Sequence, residues 1–204
     1  MQDVDSSLVA RLRDRFDTRP FRVADAVTAG VSRSTLHRLR ERGTLEPAGH
    51  GVVRLAGTGM GMQSDLAVVS ARLPAGTICL NSALAFWDLT DEIPAQIHLA
   101  VPRGKRRPMI AEPATKIHVF NAATFALERQ QVQTDADEPF WIYSPERSVV
   151  DAIRMSRWVG GDVGLHALRR YMNRPAASPA VLAELARDLG GATRVRSALE
   201  TLLS

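Results

Sequence analysis

Apolar positions four residues apart open the chain. Leu8, Leu12 and Phe16 form one face, and with Ser6 or Ser7 as cap they predict a helix ending near Phe16. Asp17, Thr18, Arg19 and Pro20 break it. A second short helix is predicted over 22–29, with Val23, Ala26 and Val27 inward, and Gly30 ends it. Ser32 is a good cap for a third helix over 33–42, whose strong core positions are Leu36 and Leu39. Gly43 stops that helix. Leu45, Val52, Val53 and Leu55 then frame a loop containing Gly49 and Gly51, which reads as a β-hairpin with His50 at its tip and Arg54 on its second strand.

Beyond residue 57 the pattern changes. The glycine-rich run 57–63 has no hydrophobic period and reads as a linker. It lacks the Gly-Lys-Ser/Thr end of a phosphate loop. A helix over 65–72, capped by Ser64, stops at Leu73 and Pro74. Short strands are predicted at 77–80, 95–101, 116–120 and 140–143, with a helix over 81–89 whose Phe86 and Trp87 read as core. Ser144 followed by Pro145 is a strong helix start for 144–158, with Val149, Val150, Ile153 and Trp158 on its apolar side. Helices at 162–172, 179–189 and 193–203 close the chain. The fold class is α+β: an N-terminal winged helix-turn-helix over 1–57, a linker at 58–63, and a mixed α/β domain with a helical C-terminal part over 64–204.

Composition bounds the function. The 204 residues are 45% hydrophobic and 24% charged, enough apolar material for a real core. No run approaches the roughly 18 apolar residues of a membrane span. The first sixteen residues mix both charges and do not read as a secretion signal. One cysteine, Cys79, excludes an internal disulfide and a cysteine-rich zinc site. A cytoplasmic protein without cofactor or metal is expected. The net charge of +4 is unevenly spread: residues 1–57 carry +3, residues 58–144 carry −2 and residues 145–204 carry +3. Basic ends permit nucleic-acid binding without proving it. Only Lys105 and Lys116 among the 26 cations are lysine. Arginine suits bidentate phosphate and guanine contacts, although a GC-rich genome accounts for the same bias.

The candidate site follows from the third helix. At 100° per residue, Ser34, His37, Arg38 and Glu41 face away from Leu36 and Leu39, and Arg33 sits at the N-terminal tip. In a helix-turn-helix the second helix of the pair enters the major groove. Arg33 and Arg38 then suit guanine edges. Ser32, Ser34, Thr35, His37 and Arg42 complete the predicted contact surface, with Ser34, Thr35 and Arg42 suited to phosphates. His50 and Arg54 belong to the wing. Arg40, beside the core stripe, is expected to be structural. A three-helix bundle with a solvated polar face is the competing reading; the turn glycine, serine cap, leucine spacing and hairpin favour DNA.

Elsewhere the chemistry is sparse. His98, His118 and His166 show no metal-ligand spacing, and a lone strand histidine is usually structural. Glu112 and Lys116 suggest a metal-dependent nuclease, but their spacing is too long and no preceding strand supplies an acid. Asp135, Asp137 and Glu138 are a charge cluster with a cation-binding alternative. Arg103, Lys105, Arg106 and Arg107 lie in a loop bounded by prolines, a candidate contact for phosphate or an acidic partner and equally readable as a solvated loop.

Three blocks occur in order behind the predicted winged helix. They are Ser82-Ala83-Leu84 with Trp87, Leu89 and Thr90; the strand from Ile97 to Pro102 with its basic exit; and Pro145-Glu146-Arg147 with Val150-Asp151. The combination, over most of residues 20–172, resembles the AbiEi family of antitoxins and transcriptional regulators from bacterial type IV toxin–antitoxin systems. The resemblance implies a winged helix that binds inverted repeats in its own promoter as two copies, from a monomer or weak dimer, and represses its operon. It also implies a C-terminal domain that neutralises a nucleotidyltransferase-like toxin, and no enzymatic activity. No membrane partner is expected, since no apolar run is long enough to span a bilayer. A stand-alone regulator with a ligand-sensing or dimerising C-terminal domain is the alternative, and a nucleic-acid-processing enzyme a more distant one.

Overall fold

Leu12 and Phe16 turn inward from the first helix, α1 (Gln2–Phe16), and Phe16 stacks on Phe21 with ring centroids 4.2 Å apart. Ser6 and Ser7 lie inside α1, so neither caps it. The computed structural model describes residues 2–17, 19–58, 63–105, 107–134 and 137–203. It divides into two units. The first comprises Met1–Ala75, Ile110–Pro113 and Gln131–Phe140; the second comprises Gly76–Met109, Ala114–Gln130 and Trp141–Ser204. The overall class is mixed α/β, with helices in the N-terminal region and a helical C-terminal part.

In the first unit β1 (Phe21–Arg22) leads into α2 (Val23–Thr28), followed by α3 (Arg33–Glu41), β2 (Leu45–Gly49) and β3 (Val52–Leu55). The strands form an antiparallel sheet in the order β1-β3-β2, with a register shift between Pro47 and Gly49. Leu12, Phe16, Phe21, Ala26, Val31, Leu36, Leu39, Leu45, Val53 and Leu55 make its core. Val27, expected inward, is exposed because α2 is only six residues long and turns Ala26 to the core instead. Gly30 lies at φ +88°, a left-handed conformation that lets the chain leave α2 and enter the turn to α3.

The expected domain boundary differs from the observed division. Helix α4 (Ser64–Arg72) belongs to the first unit and packs against β1 and β3 with Ala67, Val68 and Val69 buried. Ser64 is buried within α4 rather than capping it. Most of the expected linker, residues 59–62, lies outside the described residues.

The second unit carries β4 (Thr77–Ile78), α5 (Leu80–Phe86), β5 (Ile97–Pro102) and β6 (Thr115–Phe120). Strands β7 (Arg129–Gln133) and β8 (Pro139–Tyr143) follow in the chain, each divided between the two units, and the sheet order is β6-β5-β4-β8-β7. Strands β5 and β6 are parallel, with Ile97 beside Thr115 and Pro102 beside Phe120. Five helices close the fold: α6 (Pro145–Arg154), α7 (Ser156–Val159), α8 (Val163–Met172), α9 (Pro179–Leu189) and α10 (Ala192–Leu203). The Ser144 Oγ accepts the Arg147 N–H at 3.1 Å, so the predicted cap is present. Gly164 of α8 touches the backbone of α6: a Cβ there would meet the main chain of Ala152 and Ile153 at 3.1 Å.

Two aromatic expectations are corrected. Trp158 is 42% exposed, because the helix breaks at Met155 and α7 turns its indole outward. Phe86 and Trp87 are half-buried; Trp87 needs a partner for its indole N–H and donates to the Tyr143 carbonyl at 2.8 Å.

Arg147 of α6 has no solvent exposure. Its Nη1 donates to the carbonyl oxygens of Thr124 at 2.6 Å and of Leu127, and its Nε lies 3.4 Å from Asp151. Its guanidinium sits 3.7 Å from the Tyr143 ring centroid, and Asp151 is shared with Arg154 at 2.6 Å. Arg147→Ala leaves Asp151 to Arg154 but takes the donor from the Thr124 and Leu127 carbonyls and empties the space of a fully buried side chain. It is therefore expected to cost about 3–5 kcal/mol, read as a lowered urea midpoint with the slope unchanged.

Candidate nucleic-acid interface

Helix α3 is built to start sharply. Ser32 has extended backbone, and its Oγ accepts the Thr35 N–H at 3.1 Å. The same Oγ lies 2.9 Å from the Ser34 hydroxyl and 2.8 Å from that of Thr35. Three hydroxyls thus cluster at the positive end of a nine-residue helix, the arrangement that receives anions. With Leu36 and Leu39 fixed in the core, Arg33, Ser34, His37, Glu41 and Arg42 are exposed, and Thr35 and Arg38 are half-buried.

Two arginines depart from expectation. Arg40 is exposed rather than structural: it lies at the edge of the core stripe, and its long side chain escapes outward. Arg54 is the reverse. All four residues of β3 are buried, and Arg54, 8% exposed, pairs with Glu138 at 3.2 Å. It also reaches the Thr58 carbonyl at 3.4 Å. Arg54 is therefore an internal ion-pair residue, while His50 remains exposed at the hairpin tip.

Glu138 is fully buried in that pair, so it does not belong to an open acidic cluster; Asp137 is exposed and Asp135 lies outside the described residues. Arg103, Lys105 and Arg107 are exposed in the loop after β5, and Arg106 lies outside the described residues. Glu112 precedes β6 outside any strand, and Lys116 lies on β6 with its ammonium 5.6 Å from the Trp158 ring. Cys79 is buried, and burial pushes its thiol well above its usual range. Among the described residues no three His, Cys, Asp or Glu are grouped to hold a metal ion, and no helix is long and apolar enough to cross a membrane.

Residues 10–56 match the family model described as a transcriptional regulator, AbiEi antitoxin. The AbiEi resemblance thus covers the α1–β3 segment that carries α3 and the hairpin. The chain is also similar to the crystal structure of the RV2827C protein from Mycobacterium tuberculosis, at 20% identity and a TM-score of 0.52. That match covers 97% of this chain and 79% of the other, and it is a likeness of fold. No curated protein matches the chain.

The Arg54–Glu138 pair separates a structural role from a wing role. Arg54→Ala is expected to destabilise the first unit by about 3 kcal/mol, by removing one member of a buried ion pair. The double variant Arg54→Met with Glu138→Gln is expected to recover most of that loss in thermal denaturation.

Proposed function

We propose that this chain is a DNA-binding regulator of the AbiEi type that represses its own promoter and acts as the antitoxin of a toxin–antitoxin pair. One observation carries the regulator half: the family match falls on the segment whose Ser32-capped helix exposes Arg33, Ser34, His37, Arg40 and Arg42. In this reading α3 lies in the major groove, with Arg33 and Arg38 on base edges. Arg38 extends from its half-buried position to do so. Ser32, Ser34 and Thr35, with the helix N-terminus behind them, hold a phosphate, and Arg42 takes a second. His50 touches the backbone from the wing. Arg40 joins the phosphate contacts, and Arg54 drops out because its charge is already paired. The operator consists of inverted repeats occupied by two copies. The second unit meets a nucleotidyltransferase-like toxin, with Arg103, Lys105, Arg106 and Arg107 as candidate contacts. No catalytic residue is assigned.

The test is quantitative binding to DNA from upstream of the gene, with alanine variants at each position. Arg33→Ala and Arg38→Ala are expected to lose about tenfold to 100-fold in affinity for that DNA, the worth of one base-edge contact at 1–3 kcal/mol. Arg42→Ala is expected to weaken binding equally on all sequences and to flatten its salt dependence. The same variants are expected to restore growth fully when co-expressed with the neighbouring toxin. Unchanged DNA binding in Arg33→Ala and Arg38→Ala contradicts the assignment of α3.

A further inference from the structure

Two histidines that look unrelated in the sequence meet on one face of the second unit's sheet. Ile97 donates its N–H to Ala114 and Arg103 donates its N–H to Phe120, at 2.8 and 2.9 Å. With the parallel register, these bonds put His98, Ala100, Lys116 and His118 on one face. The rings of His98 and His118 lean together, with centroids 4.9 Å apart and planes tilted by 35°. Both residues are more than nine-tenths buried, yet His98 Nδ1 and His118 Nε2 have no hydrogen-bond partner among the described residues. A third such atom belongs to Asn81 of α5. Cys79 donates its N–H to the His98 carbonyl and Ser82 Oγ accepts the His98 N–H, so the start of α5 is tied to the His98 backbone on either side of Asn81. The Asn81 amide nitrogen donates to the Val159 carbonyl at 3.3 Å, the residue after the Trp158 that meets His118 edge-on, and its Oδ1 is buried without a hydrogen-bond partner among the described residues.

Buried polar atoms in a folded protein normally have partners. Two imidazole nitrogens and one amide oxygen from α5, β5 and β6 are thus left, among the described residues, with hydrogen-bonding capacity that the fold does not use. We propose that Asn81, His98 and His118 bind one divalent transition-metal ion of the zinc class, with water completing its coordination. With both nitrogens aimed at one ion, zinc–nitrogen bonds of about 2.1 Å and a ring nitrogen about 1.1 Å from its centroid, a 4.9 Å centroid separation would subtend about 100° there. That lies between the octahedral and tetrahedral angles. Burial, and for His118 its histidine neighbour, together with the charge of Lys116, lower both imidazoles to about 4, so both are neutral ligands at physiological pH. Lys116 also opposes the ion's charge and limits its affinity, although its ammonium is drawn over Trp158. Imidazole with a carbonyl oxygen suits zinc, cobalt and nickel rather than calcium or magnesium.

The test uses the full chain, stripped with a chelator and titrated with Co²⁺ alone. One equivalent is expected to give visible d–d absorption that Zn²⁺ displaces, and Zn²⁺ is expected to raise the unfolding temperature. His98→Gln and His118→Gln, checked for native circular dichroism, are each expected to weaken binding by at least about tenfold. Asn81→Asp, which supplies a carboxylate at the same place, is expected to tighten it, so the site does not rest on loss-of-binding variants alone. Folded wild-type chain that gives no Co²⁺ absorption overturns the proposal. Binding that survives in both histidine variants overturns it as well, since His37, His50 or His166 would then be the ligand.

Discussion

A guanidinium without access to water is the constraint around which the second unit is organised. Arg147 is charged and buried, so every one of its neighbours must answer that charge or the fold pays several kcal/mol. The carbonyls of Thr124 and Leu127, the Asp151 carboxylate and the Tyr143 ring do so together. These groups come from the segment before β7, from α6 itself and from the end of β8. One side chain thereby fixes the connection, the sheet and the first helix of the C-terminal part. Tyr143 is locked in turn: its hydroxyl donates to Phe125 at 2.9 Å, and burial raises its ionisation beyond any physiological pH. Asp151, shared with Arg154, carries the arrangement one turn further along α6.

The first unit obeys a different constraint. Its core is small, and α3 is held to it by only two buried side chains, Leu36 and Leu39. The orientation of its polar face therefore depends on how the helix starts. Ser32 sets that start by accepting a backbone N–H and gathering the hydroxyls of Ser34 and Thr35. The same serine thus fixes the helix and assembles the anion-receiving end of the candidate interface. In this unit stability and proposed function share one residue.

Helix starts with a serine and a proline were readable, and so was the α3 core, because capping and leucine spacing are local chemistry. Ser32 and the pair Ser144 with Pro145 fall where expected. Strand β1 was not readable. Two residues, Phe21 and Arg22, become a strand only by pairing with Val53 and Val52, which no local pattern announces. Strand β7, Arg-Gln-Gln-Val-Gln, is polar and gains its identity from the sheet. Arg54 was misplaced because β3 is buried on both faces, so alternation along the strand gave no sign of where its charge goes. Glu138, its partner, lies 84 residues away in what reads as a solvated acidic loop. The meeting of His98 with His118 required the parallel register of β5 and β6, which spacing along the chain cannot supply.

If α3 and its hydroxyl cluster read DNA, the protein must select its own upstream sequence. Fluorescence anisotropy of the intact protein on that DNA, against scrambled DNA of equal length, over a range of salt, is the direct test. Tight, promoter-selective binding is expected, its logarithm falling steeply and linearly with the logarithm of salt concentration as counterions are released from contacted phosphates. Weak binding of equal strength on both DNAs would contradict it and leave the face of α3 as solvated surface or a site for protein.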